Sequence, residues 1–365
     1  MDVFDPNNDE DVVALLPCQE AALASIKRQA NALEPDATET IAQIMRMSNI
    51  ESSKLHTAKE AIRKHARIAL HFHPDRPAGE GTVATSLLHD GVYRNQFETG
   101  ISNGLVAAFR GSLRDNWENN LFENAYGDHA VSLCHRPKYG ALDLTNFEDG
   151  PAARFGSCYF LLKPAVATRS TFTFGGSQAA PKYRATADQF EPILAALLEE
   201  TFTRDFMLGI SGIRPAQAVE HLCQLPKFKD DGPRTLSRNL DHMIEAQIHG
   251  DVLLGRDVDT LVIDGAFRGT AIGHCLEQIG HQYRFPVRYR QSFQLDVSDV
   301  PLDFRGPSMP LLAKRISQNS IVTTATLGEG AQDLRKHPEA WTDRGTYAEV
   351  LQEFKLLWHI LVRYG

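Results

Sequence analysis

The feature that most constrains this chain is a change of hydrophobic period near residue 68. Before it, apolar residues recur every three or four positions. Leu23, Ile26, Ala30 and Leu33 fall near one face of a helix over 20–33, Ile41, Ile44 and Met45 share a face over 38–47, and 55–70 continues in helix-forming residues. After it, short apolar runs separated by Gly, Pro and Asn predict strands at 68–73, 92–97, 130–133, 157–163, 170–174, 244–249 and 260–263. Helical patterns interrupt them near 113–126, 189–202, 216–221 and 273–279. A last helix over 347–364 carries Leu351, Phe354, Leu357, Trp358 and Leu361 on one stripe. Strands scattered among helices without a regular βαβ rhythm predict an α+β fold. The expected organisation is an N-terminal helical region with an acidic leader (1–67), followed by an α+β domain (68–365).

Composition excludes several classes. With 42% hydrophobic residues in 365, the chain can bury a sizeable core. No apolar run approaches the ~20 residues that span a bilayer, so no membrane partner is expected. The acidic start, Met-Asp-Val-Phe-Asp-Pro, is unlike a secretory signal. A net charge of −8 gives no indication of a nucleic-acid partner. Five scattered cysteines without a Cys-x-x-Cys pair suit reduced thiols, hence a cytoplasmic protein or an effector exported without a cleavable signal peptide.

Four polar clusters can carry chemistry. In Leu70-His71-Phe72-His73-Pro74-Asp75-Arg76, a strand would put His71, His73 and Asp75 on one face, where they can ligate a metal or hold a phosphate or ribose. His249, His242 and Asp264 are the candidates to complete a metal set for a hydrolase. In Asp90 to Gly104, Arg94 on a strand is suited to a phosphate or carboxylate, with a Gly/Ser/Asn loop behind it. Arg169 to Ser177 reads as a half-buried strand whose Ser170, Thr171 and Thr173 hydroxyls can support a ligand or a carboxylate. In Met243 to Gly250, Glu245, Gln247 and His249 share one strand face. A carboxylate there can orient a ribose or act as a base.

Several of these segments carry resemblances. Residues 62–77, ending His73-Pro74-Asp75-Arg76-Pro77, resemble the second helix and loop of a J-domain co-chaperone, which implies a chaperone-interaction module. The segments at 70–76, 93–104, 136–144, 170–177 and 244–250, with Phe267-Arg268-Gly269-Thr270 and Phe304-Arg305-Gly306-Pro307, together resemble a bacterial family known only as a domain of unknown function. The order of a His/Arg strand, a Ser/Thr strand and a late Glu strand is similar to the mono-ADP-ribosyltransferase superfamily. That similarity implies a split β-sheet fold, NAD as the substrate and transfer of ADP-ribose to an acceptor the sequence does not identify, a protein being one option. It makes Glu245 the catalytic carboxylate, with His71, His73, Arg76, Arg94, Ser170, Thr171 and Gln247 around the cofactor. One branch of the superfamily matches Arg94, Ser170-Thr171 and Glu245, and the other His73, Tyr159 and Glu245. The order Glu245-Ala246-Gln247 departs from the Glu-x-Glu of arginine-modifying enzymes, which leaves open whether Glu245 or Gln247 faces the ribose.

Overall fold

The computed structural model describes residues 13–101, 106–228 and 234–365. The acidic leader and the Ser102–Gly104 part of the loop behind Arg94 lie largely outside them. The chain is a mixed helix-and-sheet protein built on one central sheet. Its strands are β1 (Arg67–Phe72), β2 (Lys138–Asp143), β3 (Cys158–Leu162), β4 (Ser170–Phe174), β5 (Arg184–Thr186), β6 (Ile244–Ile248), β7 (Val258–Asp264) and β8 (Val287–Arg290). Their spatial order is β8-β7-β3-β1-β2-β6-β4-β5. Every pairing is antiparallel except β7 with β8, which a helix over Ala271–Tyr283 connects.

The two helices expected at 20–33 and 38–47 are one, α1 (Pro17–Met47), running through Pro35. An internal proline removes a backbone donor. A buried stripe continuous from Ala22 through Ile26, Ala30, Ala37 and Ile41 to Met45 keeps the helix seated, against the helix Glu191–Arg204 and the edge strand β5. The next helix, α2 (Ser52–His65), stops short of the expected residue 70. Ala66 is extended, and Ile68, Leu70 and Phe72 alternate with Ala69 and His71 as a strand. Residues of α1 and α2 share the main core with the sheet, so packing continues across residue 67.

One expected strand is cut to two residues and another is absent. In 92–97 only Val92–Tyr93 pairs, with Val252–Leu253. Asn95 then caps a one-turn helix, its Oδ1 accepting from the N–H groups of Phe97 (2.8 Å) and Glu98 (3.1 Å). Residues 130–133 form turns leading into a 3₁₀ turn at Leu133–His135.

A second core lies in the C-terminal segment. The helices Met309–Ile316, Thr324–Lys336 and Tyr347–Tyr364 enclose Phe293, Leu312, Leu327, Trp341, Phe354 and Trp358. Several contacts tie this unit to the sheet and its loops. The Trp358 indole donates to the carbonyls of Ala153 (3.0 Å) and Arg154 (3.1 Å). Thr324 donates to Asp264 Oδ2 (2.7 Å), which also pairs with Arg290 (2.5 Å). Asp75 packs against Gly328, where a Cβ would stand 1.4 Å from Asp75 Oδ2, so only glycine allows the approach. Among the described residues no helix is long and apolar enough to cross a membrane, and all five cysteines are unpaired.

Candidate functional site

The register of the sheet sorts its side chains onto two faces. On one, Ile68, Leu70, Phe160, Phe172, Ala246 and Ile248 enter the main core. On the other, Glu245 stands beside Ala141 and Thr173, Gln247 beside Tyr139 and Thr171, and His71 beside Tyr159. A cleft of about 570 Å³ opens on this polar face. Its floor is His71, Tyr139, Gly140 and Glu245. One wall is the segment from Tyr93 to Thr99 with Arg114, Trp117 and Glu118. Phe155, Ser177 and Gln178 line it elsewhere, together with His73 and Arg76.

A hydrogen-bonded ladder leads to Glu245. The Gln247 amide donates to Glu245 Oε1 (3.0 Å) and Thr173 Oγ1 (3.3 Å), while its oxygen accepts from Thr171 (2.8 Å). Thr171 also meets His249 Nε2 at 3.3 Å, and Tyr126 meets His249 Nδ1 at 2.6 Å. The Ser177 backbone N–H is the second donor to Glu245 Oε1 (3.1 Å). Burial raises the Glu245 carboxyl above its ordinary value, while bonds from Ser177 and Gln247 and the Arg114 charge oppose the rise. Of the two candidates for the ribose, Glu245 lines the cleft and Gln247 is wholly buried behind it.

A second carboxylate shares the cleft. Glu118 accepts from Tyr139 Oη (2.9 Å) and Arg136 Nη1 (2.9 Å). Burial pushes it up to about 7, against Arg136 and Tyr139. Arg136 also pairs with Asp115. The sequence reading missed Arg114, Trp117, Glu118 and Tyr139. A signal for the first three was present: they sit at i, i+3 and i+4 on one face of the helix Leu113–Leu121.

The other expected site residues divide. Arg76 lines the cleft, buried, and its Nη1 has no hydrogen-bond partner. Arg94 also lines the cleft, in the wall, paired with Asp90 and 4.0 Å from Glu98. His71 lines the cleft with both nitrogens engaged, Nδ1 with the Gly156 carbonyl (3.2 Å) and Nε2 with the Ala152 N–H (3.3 Å). Burial lowers it to about 3, so it is a neutral link rather than a cationic anchor. His73 lies edge-on to Trp358, ring centres 4.9 Å apart, and burial holds it well below its ordinary value.

Ser170 and Thr171 do not line the cleft. Ser170 points to the opposite face and donates to the Val166 carbonyl (2.9 Å), and Thr171 stands behind Gln247. Tyr159 lies beneath His71 and donates to the Glu148 carbonyl (3.0 Å).

The shared face expected for His71, His73 and Asp75 does not form, because the strand ends at Phe72. The three diverge to Gly156, Trp358 and Gly328. Among the described residues no three His, Cys, Asp or Glu side chains are grouped to hold a metal. His249 is taken up by the ladder and Asp264 by Arg290. The His73-Pro74-Asp75 tripeptide is buried between the sheet and the C-terminal helices, with no exposed loop.

Residues 67–364 match the family model described as protein of unknown function (DUF3626), and the chain belongs to that family. The match starts on β1 and takes in the whole sheet, the cleft and the C-terminal unit. A search of curated proteins finds no match.

Proposed function

We propose that the cleft binds NAD and cleaves its nicotinamide–ribose bond, passing ADP-ribose to an acceptor in the manner of the mono-ADP-ribosyltransferases. The observation that carries this reading is a buried, hydrogen-bonded carboxylate, Glu245, sharing one cleft with a buried guanidinium, Arg76, whose Nη1 has no partner. Cleavage of that bond develops positive charge on the ribose. A carboxylate fixed beforehand by Ser177 and Gln247 stabilises it without reorganising. Arg76 supplies the charge complement for the diphosphate, and Arg94 guards the approach. Trp117 and Phe155 offer flat apolar surfaces for the rings of a dinucleotide. Gln247, Thr171 and Thr173 act through Glu245.

The test is nicotinamide release from NAD by the purified chain. Glu245→Gln should lower the rate by about 10² to 10³ while NAD binding, read by calorimetry, persists. Equal release by both proteins removes Glu245 from the mechanism. Because burial raises the Glu245 carboxyl, activity should rise with pH through an apparent value above the ordinary 4.5.

A further inference from the structure

The last helix carries a cluster the cleft does not use. Lys355 and His359 are one turn apart on Tyr347–Tyr364, and between them Trp358 is bonded to the backbone of Ala153 and Arg154. That anchor brings Arg154 beside them. Arg305 approaches from the segment before Met309, where neighbouring Phe304 packs on Tyr364 with ring centres 5.6 Å apart. Lys355 is half-buried, and the charges that act on it are those of Arg154, Arg114 and Arg305. His359 is 1% exposed and feels Arg154, Arg305 and Lys355. Among the described residues Lys355 and Arg305 make no ion pair, and Glu353 is committed to Arg344 (2.8 Å) and Ser308 (2.8 Å). Asp241 enters, paired with Arg154.

Like charges held together at low exposure repel more strongly than in water. Buried polar atoms without partners are uncommon. Here both nitrogens of His359 and Nε of Arg305 are buried and unpartnered. An anion would offset the repulsion and would accept from Arg305 Nε and from the one N–H of the neutral His359. Two guanidinium groups and an ammonium carry several N–H donors each, which suits the many acceptor oxygens of a phosphate.

We propose that Lys355, Arg154, Arg305 and His359 form a phosphate-binding site on the C-terminal helix. None of the four lines the cleft, but the charge of Arg114, a cleft residue, reaches Lys355. The site stands independently of NAD cleavage. Its phosphate comes either from the dinucleotide itself or from a separate phosphorylated ligand.

The full chain is titrated with pyrophosphate, by calorimetry and thermal unfolding, against sodium chloride of equal ionic strength. Pyrophosphate should raise Tm beyond the salt control. Without it, Lys355→Gln should itself raise Tm, because one repelling charge is gone. Both Lys355→Gln and Arg305→Gln should weaken pyrophosphate binding by about tenfold or more. No shift beyond the salt control, or unchanged binding by both variants, overturns the proposal. If pyrophosphate competes with NAD and Lys355→Gln weakens NAD equally, the dinucleotide is the source; if NAD is unaffected, a separate ligand is. A chain that binds pyrophosphate but not NAD defeats the earlier reading and leaves this one standing.

Discussion

The two faces of the central sheet are about equally dry and chemically opposite. Ile68, Leu70, Phe160, Ala246 and Ile248 on one face, and His71, Tyr159, Thr171, Thr173 and Gln247 on the other, are all at most 7% exposed. The apolar face gains stability from area removed from water, and any well-fitting hydrocarbon serves. The polar face gains nothing from dryness unless each donor and acceptor is matched. The ladder from Tyr126 through His249, Thr171 and Gln247 to Glu245 does the matching, and it ends in a carboxylate on a cleft. Ala69, Leu161 and Val262 make part of this face apolar, so the polar groups are concentrated around Glu245, which makes sense when that carboxylate must be held still for chemistry.

The sharpest way to break this contrast is to damage one face at a time. Phe160 is fully buried, stacked on Phe72 at 4.9 Å and edge-on to Phe285 at 6.0 Å. Phe160→Ala should cost about 3–5 kcal/mol of stability in urea unfolding, with the folded fraction still active. Glu245→Gln should do the reverse, staying within about 1 kcal/mol in stability while losing nicotinamide release. If the two variants show the same pattern, the faces do not differ in function.

Protons separate the faces next, because only the polar one titrates. Burial lowers His249 to about 3, a depressed base whose stabilisation is present above its ordinary 6.5 and is lost as pH falls from there to about 3. His249→Gln should therefore flatten the acid decline in that window by about 1.4 kcal/mol per pH unit. Glu118 has the opposite sign. Raised from 4.5 to about 7, it stabilises below 4.5, and that contribution is lost as pH climbs to about 7. Glu118→Gln should remove a decline of similar slope between those values. Phe160→Ala should shift the whole stability–pH curve without changing either slope.

How much of this was legible in the sequence follows from the range of the forces involved. Alternation is local, so 170–174, 244–248 and 347–364 emerged with nearly their true limits, and Glu245 with Gln247 on one face followed from period two. What the chain does across distance was hidden. Nothing near Tyr139 announces that it will pair with Gln247, and nothing near Glu118 that Tyr139 will donate to it. The helices Met309–Ile316 and Thr324–Lys336 were missed because they are short and interrupted by Pro310, Gly328 and Gly330, and their contacts are with each other and the last helix. The His71, His73 and Asp75 cluster misled for a related reason. Two histidines and an aspartate look like ligands until Gly156, Trp358 and Gly328, all distant in the chain, are seen to take His71, His73 and Asp75 separately.

The smallest test uses neighbours. Ser170 and Thr171 are adjacent, both wholly buried, and indistinguishable as candidates by composition. Ser170 donates to the Val166 carbonyl at the foot of its own strand, within the apolar side. Thr171 donates to Gln247, one bond from Glu245. Ser170→Ala and Thr171→Val should each cost about 1 kcal/mol, the ordinary loss of a buried hydrogen bond. Thermal unfolding cannot then tell them apart, but nicotinamide release can. Thr171→Val frees the Gln247 oxygen and lets the amide that orients Glu245 turn, so kcat should fall severalfold with KM nearly constant, whereas Ser170→Ala should leave both unchanged. Unchanged kcat in the threonine variant would mean that Gln247 and Ser177 hold Glu245 without help from Thr171, and a loss of kcat in the serine variant would mean that the apolar face also reaches the chemistry.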